Sequence, residues 1–184
     1  MNDAWTSSDR TPQLEPAAPG GSVLVYALSG LGKSTLAKAH PDRVLDADRF
    51  LYEAVAQAFP TLAPRARLRA WRALCQQKPW LAGGEPLAQW ARVRRGFIEP
   101  MVAALAAATH PLVVTSLRHP PWRMSAYYGI ERGRYLEHLR RAGRLADNQH
   151  SEAMNDRLEG YTPLVRLAPG CFLGERPEVL ALLR

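Results

Sequence analysis

The sequence has 184 residues, the length of one domain, and 47% of them are hydrophobic, which is enough to form a buried core. It has no run of about eighteen apolar residues and no charged-then-apolar signal at its start, so we expect neither a membrane span nor export. The net charge of +7 indicates either a polyanionic partner or an arginine-rich composition with solvated helix faces.

Residues 1–20 are rich in Pro, Ser, Thr and Gly without periodicity, which predicts a disordered leader, and residues 21–184 are expected to form the folded domain. The two cysteines, Cys75 and Cys171, lack the spacing of a metal site. We therefore expect free thiols in the reducing environment of the cytoplasm.

The next stretch, SVLVYALSGLGKST, contains the most informative motif. Its β-branched and apolar residues predict a strand at 22–28, and a helix at 33–40 follows the glycine-containing turn. Residues 27–34 match the phosphate-loop pattern G-x-x-x-x-G-K-[S/T], with Ala27 in place of the first glycine. That substitution is tolerated if the backbone at Ala27 stays extended. The stretch therefore predicts a nucleotide-binding protein.

Each residue of this loop has a chemical reason to bind ATP. Glycines allow the backbone to approach phosphate closely, and successive N–H groups at a helix start form an anion nest. Lys33 is expected to reach the β- and γ-phosphates, and the Ser34 hydroxyl to ligate Mg²⁺. The predicted nucleotide-binding residues are Ser29, Gly30, Leu31, Gly32, Lys33, Ser34 and Thr35.

A second short strand, predicted at 43–48, ends in two aspartates and precedes a helix at 49–59. Since ligands bind at the carboxyl ends of parallel strands, Asp46 and Asp48 are expected beside the phosphate loop. A carboxylate there can accept the proton of an acceptor hydroxyl or hold Mg²⁺. We assign Asp48 as the general base and Asp46 as the metal-organising residue. The reverse assignment, and a helix N-cap role for Asp48, stay open.

The middle of the chain predicts two helices, at 64–78 and, after a Gly83-Gly84 turn, at 86–107 unless Pro100 interrupts the second. Their aromatic residues are expected in the core. The apolar run LVVTSL at 112–117 predicts a buried parallel strand that ends without a Walker-B aspartate. Any protein carboxylate on Mg²⁺ must then come from Asp46 or Asp48.

The stretch 118–144 combines arginines with interleaved aromatic residues, among them Tyr127, Tyr128 and Tyr135. We interpret it as a mobile lid that brings positive charge over the phosphates, with a helix at 131–142. A last strand at 163–167 and a short helix close the chain. The lid residues expected to contact phosphate are Arg118, Arg123, Arg132, Arg134 and Arg140.

Together these elements predict an α/β fold of the P-loop NTPase type. It would have three layers, with a mostly parallel sheet, helices on both faces and the arginine-rich lid. The small size of the chain, the missing guanine-reading N-K-x-D motif and the lid favour a kinase over a GTPase or a motor ATPase.

The phosphate loop and the D-x-D-R of residues 46–49 resemble the P-loop kinase superfamily. The chain looks most similar to polynucleotide 5′-hydroxyl kinases and to the bacteriophage kinases that phosphorylate 5-hydroxymethyluracil in DNA. The resemblance implies that Asp48 is the general base and that Arg49 steers a substrate phosphate. It also implies a DNA acceptor, a host-cytoplasmic location if a phage encodes the chain, and an adenine-packing loop at 168–173.

Two other interpretations stay open. A kinase of nucleoside monophosphates or another small molecule explains the loop, the aspartates and the lid equally well. In that case the positive charge reflects only the arginine-rich composition of the chain. A non-catalytic, nucleotide-dependent DNA-binding module would need no acceptor base. The sequence does not predict the oligomeric state.

Overall fold

A computed structural model describes residues 13–17, 20–107, 110–117, 123–145, 158, 161, 163–168 and 172–184. Within these residues the chain is an α/β structure whose five-stranded sheet is parallel throughout and flanked by helices. The strands are β1 (Val23–Ala27), β2 (Val44–Asp46), β3 (Leu112–Thr115), β4 (Ala126–Ile130) and β5 (Leu164–Leu167).

Most helices lie between successive strands. A short 3₁₀ helix (Leu173–Glu175) precedes the last one. The helices are α1 (Lys33–Ala39), α2 (Asp48–Ala58), α3 (Pro64–Gln76), α4 (Pro79–Ala82), α5 (Gly84–Ala106), α6 (Arg132–Arg141) and α7 (Pro177–Ala181). None of the described helices is both long enough and apolar enough to span a bilayer.

The three central strands are covered on both sides. Every residue of β1, β3 and β4 is buried. Because neighbouring side chains of a strand point to opposite faces, continuous burial requires that both faces of the sheet be packed. The apolar run predicted as a buried parallel strand is therefore confirmed in β3.

The strand order β2-β3-β1-β4-β5 places a crevice above β1. From β1 the chain moves outward to β2 and returns through β3, and it then crosses β1 to reach β4. In open parallel sheets ligands bind where the direction of winding reverses, outside the carboxyl ends of the strands. Here that point lies between the ends of β1 and β3.

Helices α2, α3 and α5 form a second, smaller core beside the sheet, built on Ala54, Val55 and Val93. The ring of Trp71 packs edge-on against Phe97, with centroids 6.4 Å apart. Helix α5 runs through Pro100 without a break, and its Met101 and Leu105 reach the main core.

The predicted lid is corrected in its central part. Residues 126–130 form the buried strand β4, which pairs with both β1 and β5. Tyr127 is 8% exposed, and Tyr128 and Tyr135 are 0% exposed, so these rings belong to the core and offer no platform to a ligand. The flanking arginines concealed the strand, because its five residues are themselves uncharged. Arg118 and the other residues of 118–122 lie outside the described residues.

Two further boundaries differ from the sequence-based expectation. The second strand ends at Asp46, and Asp48 is the first residue of α2 rather than the end of the strand. Of the predicted leader, residues 13–17 have no helix or strand, but Leu14 is 9% exposed and packs into the main core. Residues 1–12 and 18–19 lie outside the described residues.

Candidate functional site

The loop between β1 and α1, residues 28–32, is here called the glycine loop. Gly30 and Gly32 have φ angles of 90° and 88°, in the left-handed region that favours glycine. A side chain at Gly32 would also meet the Cβ of Phe172 at 3.3 Å. Ala27, which stands where the phosphate-loop pattern has its first glycine, is the buried last residue of β1. The expectation that its backbone stays extended is confirmed.

The glycine loop leads directly into the N-terminus of α1, whose N-cap is Gly32. The first N–H groups of a helix have no partner within the helix, and the helix dipole makes this end attractive to anions. Ser34 and Thr35 are exposed here. Leu31 is buried: its N–H donates to the Leu28 carbonyl at 3.3 Å, and its own carbonyl accepts from the N–H of Leu173 at 3.0 Å.

The side chain of Lys33 folds beneath the glycine loop and is 5% exposed. Its Nζ donates to the carbonyls of Ala27 at 2.8 Å and Leu28 at 3.0 Å, and lies 3.5 Å from Asp48 Oδ2. An ammonium group is therefore fixed at the carboxyl end of β1, where the sheet places its crevice.

Asp48 joins this ammonium to the end of β3. Its Oδ1 accepts from Thr115 Oγ1 at 3.0 Å and from the N–H of Ser116 at 2.7 Å, and its Oδ2 accepts from Ser116 Oγ at 2.7 Å. With Lys33 these contacts occupy the acceptor positions of the carboxylate. Thr115 and Ser116, the polar residues that replace a Walker-B aspartate, thus hold the aspartate supplied by α2.

Asp46 turns the opposite way and accepts a hydrogen bond from Ser34 Oγ at 2.7 Å. It also accepts from the N–H of Asp48, the first residue of α2, at 3.1 Å. The N-cap of α2 is Ala47, so the N-cap role considered for Asp48 is wrong. Partial burial, followed by the charge of Asp48, raises the pKa of Asp46 above its ordinary value of 3.8. Two carboxylates held this close repel each other, and a cation between them would relieve that repulsion.

Ser34 and Asp46 offer the two oxygen ligands that the sequence predicted for Mg²⁺. The described residues contain no group of three or more His, Cys, Asp or Glu side chains that could hold a metal by themselves. Mg²⁺ commonly takes one or two protein carboxylates together with phosphates and water. The donors present fit an ion shared with a phosphate ligand better than an ion enclosed by protein.

A cavity of about 440 Å³ opens over the glycine loop and the start of α1. Its size is that of a small-ligand pocket. Tyr52 on α2 enters its wall, and burial, then the charge of Asp48, raises the pKa of the phenol. The described residues that line it are Ser29, Gly30, Gly32, Lys33, Ser34, Thr35, Leu36, Ala39, His40, Asp48, Tyr52, Arg144, Phe172, Gly174 and Glu175.

Helix α6 and Arg144, three residues beyond its end, contact the glycine loop. The Tyr135 hydroxyl donates to the Ser29 carbonyl at 2.8 Å, and His138 Nε2 lies 3.0 Å from the Gly30 carbonyl. Arg144 Nη2 donates to Ser29 Oγ at 3.2 Å. These contacts, here called the α6 clamp, engage the carbonyls of Ser29 and Gly30 and the hydroxyl of Ser29.

The sequence motifs did not reveal the α6 clamp or the contribution of Tyr52 to the cavity wall. Phe172 lines the cavity and belongs to the loop 168–173 that was expected to pack on adenine, of which residues 169–171 lie outside the described residues. Tyr135 contacts a residue 106 positions away, and no local pattern encodes such a distance. Arg144 belongs to the arginine-rich stretch 118–144, but the sequence does not distinguish it from the other arginines there.

The arginines expected to contact phosphate lie elsewhere on the surface. Arg49 is exposed, and its guanidinium stacks over the Phe50 ring at 4.8 Å. Arg134 lies 3.9 Å from Glu131 at the start of α6. Within the described residues the cavity wall contains Arg144 and none of the predicted set, of which Arg123, Arg132, Arg134 and Arg140 are exposed and Arg118 is not described.

The sequence was also compared with known proteins. No protein-family model matches it, and neither does any of the curated proteins. Its chemistry is therefore inferred from the residues around the glycine loop.

Proposed function

We propose that the chain is an ATP-dependent phosphotransferase of the P-loop kinase type, which transfers the γ-phosphoryl group to a hydroxyl acceptor with Mg²⁺. One observation carries this proposal: Lys33, Ser34, Asp46 and Asp48 surround one glycine loop at the switch point of a parallel sheet. Phosphoryl transfer depends chiefly on positioned positive charge around the phosphates, and Lys33 offers such a charge beside the glycine loop.

The glycine loop would bind the phosphates through its N–H groups and the positive end of α1. Lys33 would exchange its two carbonyl acceptors for phosphate oxygens, a short movement because its Nζ already lies beneath the loop. Arg144 lines the same cavity, and we assign it the cationic role first expected of the lid.

Ser34 and Asp46 would hold Mg²⁺, which supplies charge neutralisation to the phosphates when it is bound. The Ser34–Asp46 hydrogen bond keeps the two oxygens adjacent.

Asp48 is proposed as the residue that orients the acceptor hydroxyl and takes its proton. Its Oδ2 accepts from Ser116 Oγ at 2.7 Å, and an acceptor hydroxyl would make the same kind of bond after displacing that serine. Asp46 is the alternative base, since its carboxylate faces the exposed Ser34.

From the resemblance to DNA-base kinases, we propose that the acceptor is the hydroxymethyl group of 5-hydroxymethyluracil in DNA. The net charge of +7 supports a DNA substrate. The tyrosines of β4 and α6 do not support a DNA substrate, because they are buried.

A small-molecule acceptor, such as a nucleoside monophosphate, is the second candidate. A cavity of about 330 Å³ between α2 and α3 shares Tyr52 with the cavity over the glycine loop. It is lined by Tyr52, Val55, Pro64, Arg65, Arg67 and Leu68. Two adjoining cavities of this size favour a reaction between two small molecules.

The test is transfer of γ-labelled phosphate from ATP with Mg²⁺ to a panel of acceptors. The panel contains duplex DNA with and without 5-hydroxymethyluracil, DNA with free 5′-hydroxyls, and the nucleoside monophosphates. Label in hydroxymethylated DNA alone supports the DNA-base acceptor, and label in a monophosphate alone supports the second candidate. No transfer to any acceptor, with a folded protein, would contradict the phosphotransferase proposal.

A further inference from the structure

Two stretches of the chain are strongly basic, and one of them forms the helices between β2 and β3. Residues 64–106, which form α3, α4 and α5 between β2 and β3, contain eight arginines and lysines and two glutamates, a net charge of +6. Residues 118–144 contain seven arginines and two glutamates, a net charge of +5, and the remaining residues together carry −4, which gives the +7 of the whole chain. The helices α3–α5 differ from that stretch in their aromatic residues, because Trp80 is exposed whereas the tyrosines of 118–144 are buried. An exposed basic surface of this kind can attract a polyanionic partner.

Two arginines of α3, Arg65 and Arg69, are exposed and fall opposite the buried Leu74 at about 100° per residue. Arg72 is half-buried, and its charge acts on Tyr52 of α2. Arg67 has a structural task, since its guanidinium donates to the carbonyls of Phe59 at 3.1 Å and Pro60 at 3.0 Å.

An exposed aromatic surface lies among these charges. Trp80 on α4 is 50% exposed, and its ring lies 5.5 Å from that of Trp90 on α5 at an interplanar angle of 55°. The guanidinium of Arg94 covers the Trp90 ring at 5.3 Å, and Leu81 is 76% exposed. Trp80, Leu81, Trp90 and Arg94 are here called the tryptophan surface.

We propose that the tryptophan surface binds single-stranded nucleic acid, with bases stacking on Trp80 and the arginines of α3 and α5 contacting the phosphates. Aromatic rings within a basic track are the common means of holding unpaired strands, because every base has a face to stack. The inference deepens the proposed function by giving it a nucleic acid partner, but binding here requires no phosphotransfer.

The charge distribution favours a nucleic acid over a lipid surface. Exposed arginines occur on α3 and on α5, helices of 13 and 23 residues, which suits an extended chain of phosphates. The apolar part is small: α4 has four residues, and the buried residues of α5 (Val93, Met101 and Leu105) are already packed inside. A helix that lies in a membrane interface needs an apolar face along its length.

The test is fluorescence anisotropy of the full-length protein with a labelled single-stranded oligonucleotide of about twenty nucleotides, as DNA and as RNA. We expect saturable binding that weakens with salt, and about tenfold weaker binding by Trp80→Ala. Arg94→Gln should weaken binding about threefold and reduce the salt dependence by about one phosphate contact. Arg141→Gln is the matched control, because it removes one exposed helical arginine that pairs with Glu137 on α6, and its affinity should stay within about twofold.

Several results would overturn the inference. These are no saturable binding of either strand, equal affinity in the wild-type protein and Trp80→Ala, or binding of phosphatidylserine vesicles with no binding of oligonucleotide. A change of oligomeric state in Trp80→Ala with unchanged oligonucleotide binding would also overturn it, in favour of contact between two copies. Failure of phosphoryl transfer is separable, since Lys33→Met should bind the oligonucleotide as the wild type does.

Discussion

Lys33 and Asp48 form an ion pair that is almost fully shielded from water, each side chain being 5% exposed. Such a pair gains stability only if its remaining hydrogen-bonding positions are also satisfied. Here Lys33 has two carbonyl acceptors, and Asp48 accepts from both Thr115 and Ser116. The pair therefore fixes the ends of β1, α2 and β3 relative to one another.

We predict that Asp48→Asn destabilises the fold as well as the reaction. Removing one partner of a buried pair leaves the Lys33 charge uncompensated, at a cost of about 3 kcal/mol in the free energy of unfolding. For a chain of this size the Tm should fall by about 6–12 °C, measured by circular dichroism. Turnover should fall far more than ATP affinity.

Asp46→Asn is the control, since Asp46 is only half-buried and an amide can still accept from the Asp48 N–H. Its Tm should stay within a few degrees of the wild type. Equal melting temperatures of the wild type and Asp48→Asn would show that the Lys33–Asp48 pair does not contribute to the stability of the fold.

Cys75 offers a pH-dependent prediction away from the site. Burial raises the pKa of its thiol from 9.0 to about 11. The reactive thiolate is then about a hundredfold rarer at pH 7 than for an unperturbed thiol, and it increases as the pH rises towards 11. In a Cys171→Ser background, alkylation by iodoacetamide at pH 7 should be far slower than that of a free cysteine. Alkylation at the rate of free cysteine would contradict the burial of Cys75 between α3 and α5.

At the scale of elements, α6 supports the glycine loop by binding its carbonyls. The Ser29 and Gly30 carbonyls are engaged by Tyr135 and His138, so contacts within the protein hold the loop in one orientation. A pre-oriented loop binds more tightly, because its ordering does not reduce the binding free energy.

We predict that Tyr135→Phe weakens MgATP binding severalfold, since it removes only the hydroxyl that donates to Ser29. The loss of one neutral hydrogen bond is worth about 1 kcal/mol. Tyr128→Phe is the matched control: its buried hydroxyl donates to Glu178 Oε1 at 2.8 Å and does not touch the glycine loop. Titration calorimetry should show reduced affinity in the first variant and unchanged affinity in the second. The same MgATP affinity in both variants would show that the α6 clamp does not contribute to nucleotide binding.

The elements that the sequence predicted well are those with strong local signals. Residues 23–39 and β3 follow from apolar runs and a glycine turn, and Lys33, Ser34 and Asp46 were placed beside one another correctly. Strand β4 was missed because its five residues lie in a stretch dominated by arginine. The environment of Asp48 was also unpredictable, since it depends on residues 67 and 68 positions away at the end of β3.

At the scale of the whole molecule, the candidate phosphate site and the basic helices are formed by different parts of the chain. The crevice over β1 gathers the glycine loop, the aspartates and the cavity, while the basic helices α3–α5 lie in the connection between β2 and β3. Helix α2 links them, because its first residue is Asp48 and its middle packs on α5. The candidate phosphate site therefore lies at the carboxyl ends of the strands, and the candidate polyanion surface lies on the helices between β2 and β3.

The measurement that tests the central claim most directly is calorimetric titration of MgATP, MgADP and AMP into the wild-type protein, Lys33→Met and Lys38→Met. Lys38 lies exposed on the same helix and serves as the charge-matched control. The account predicts one site in the wild type and in Lys38→Met, with affinity falling as phosphates are removed, and at least about tenfold weaker MgATP binding in Lys33→Met. Equal MgATP affinity in all three proteins, or none in the wild type, would contradict it.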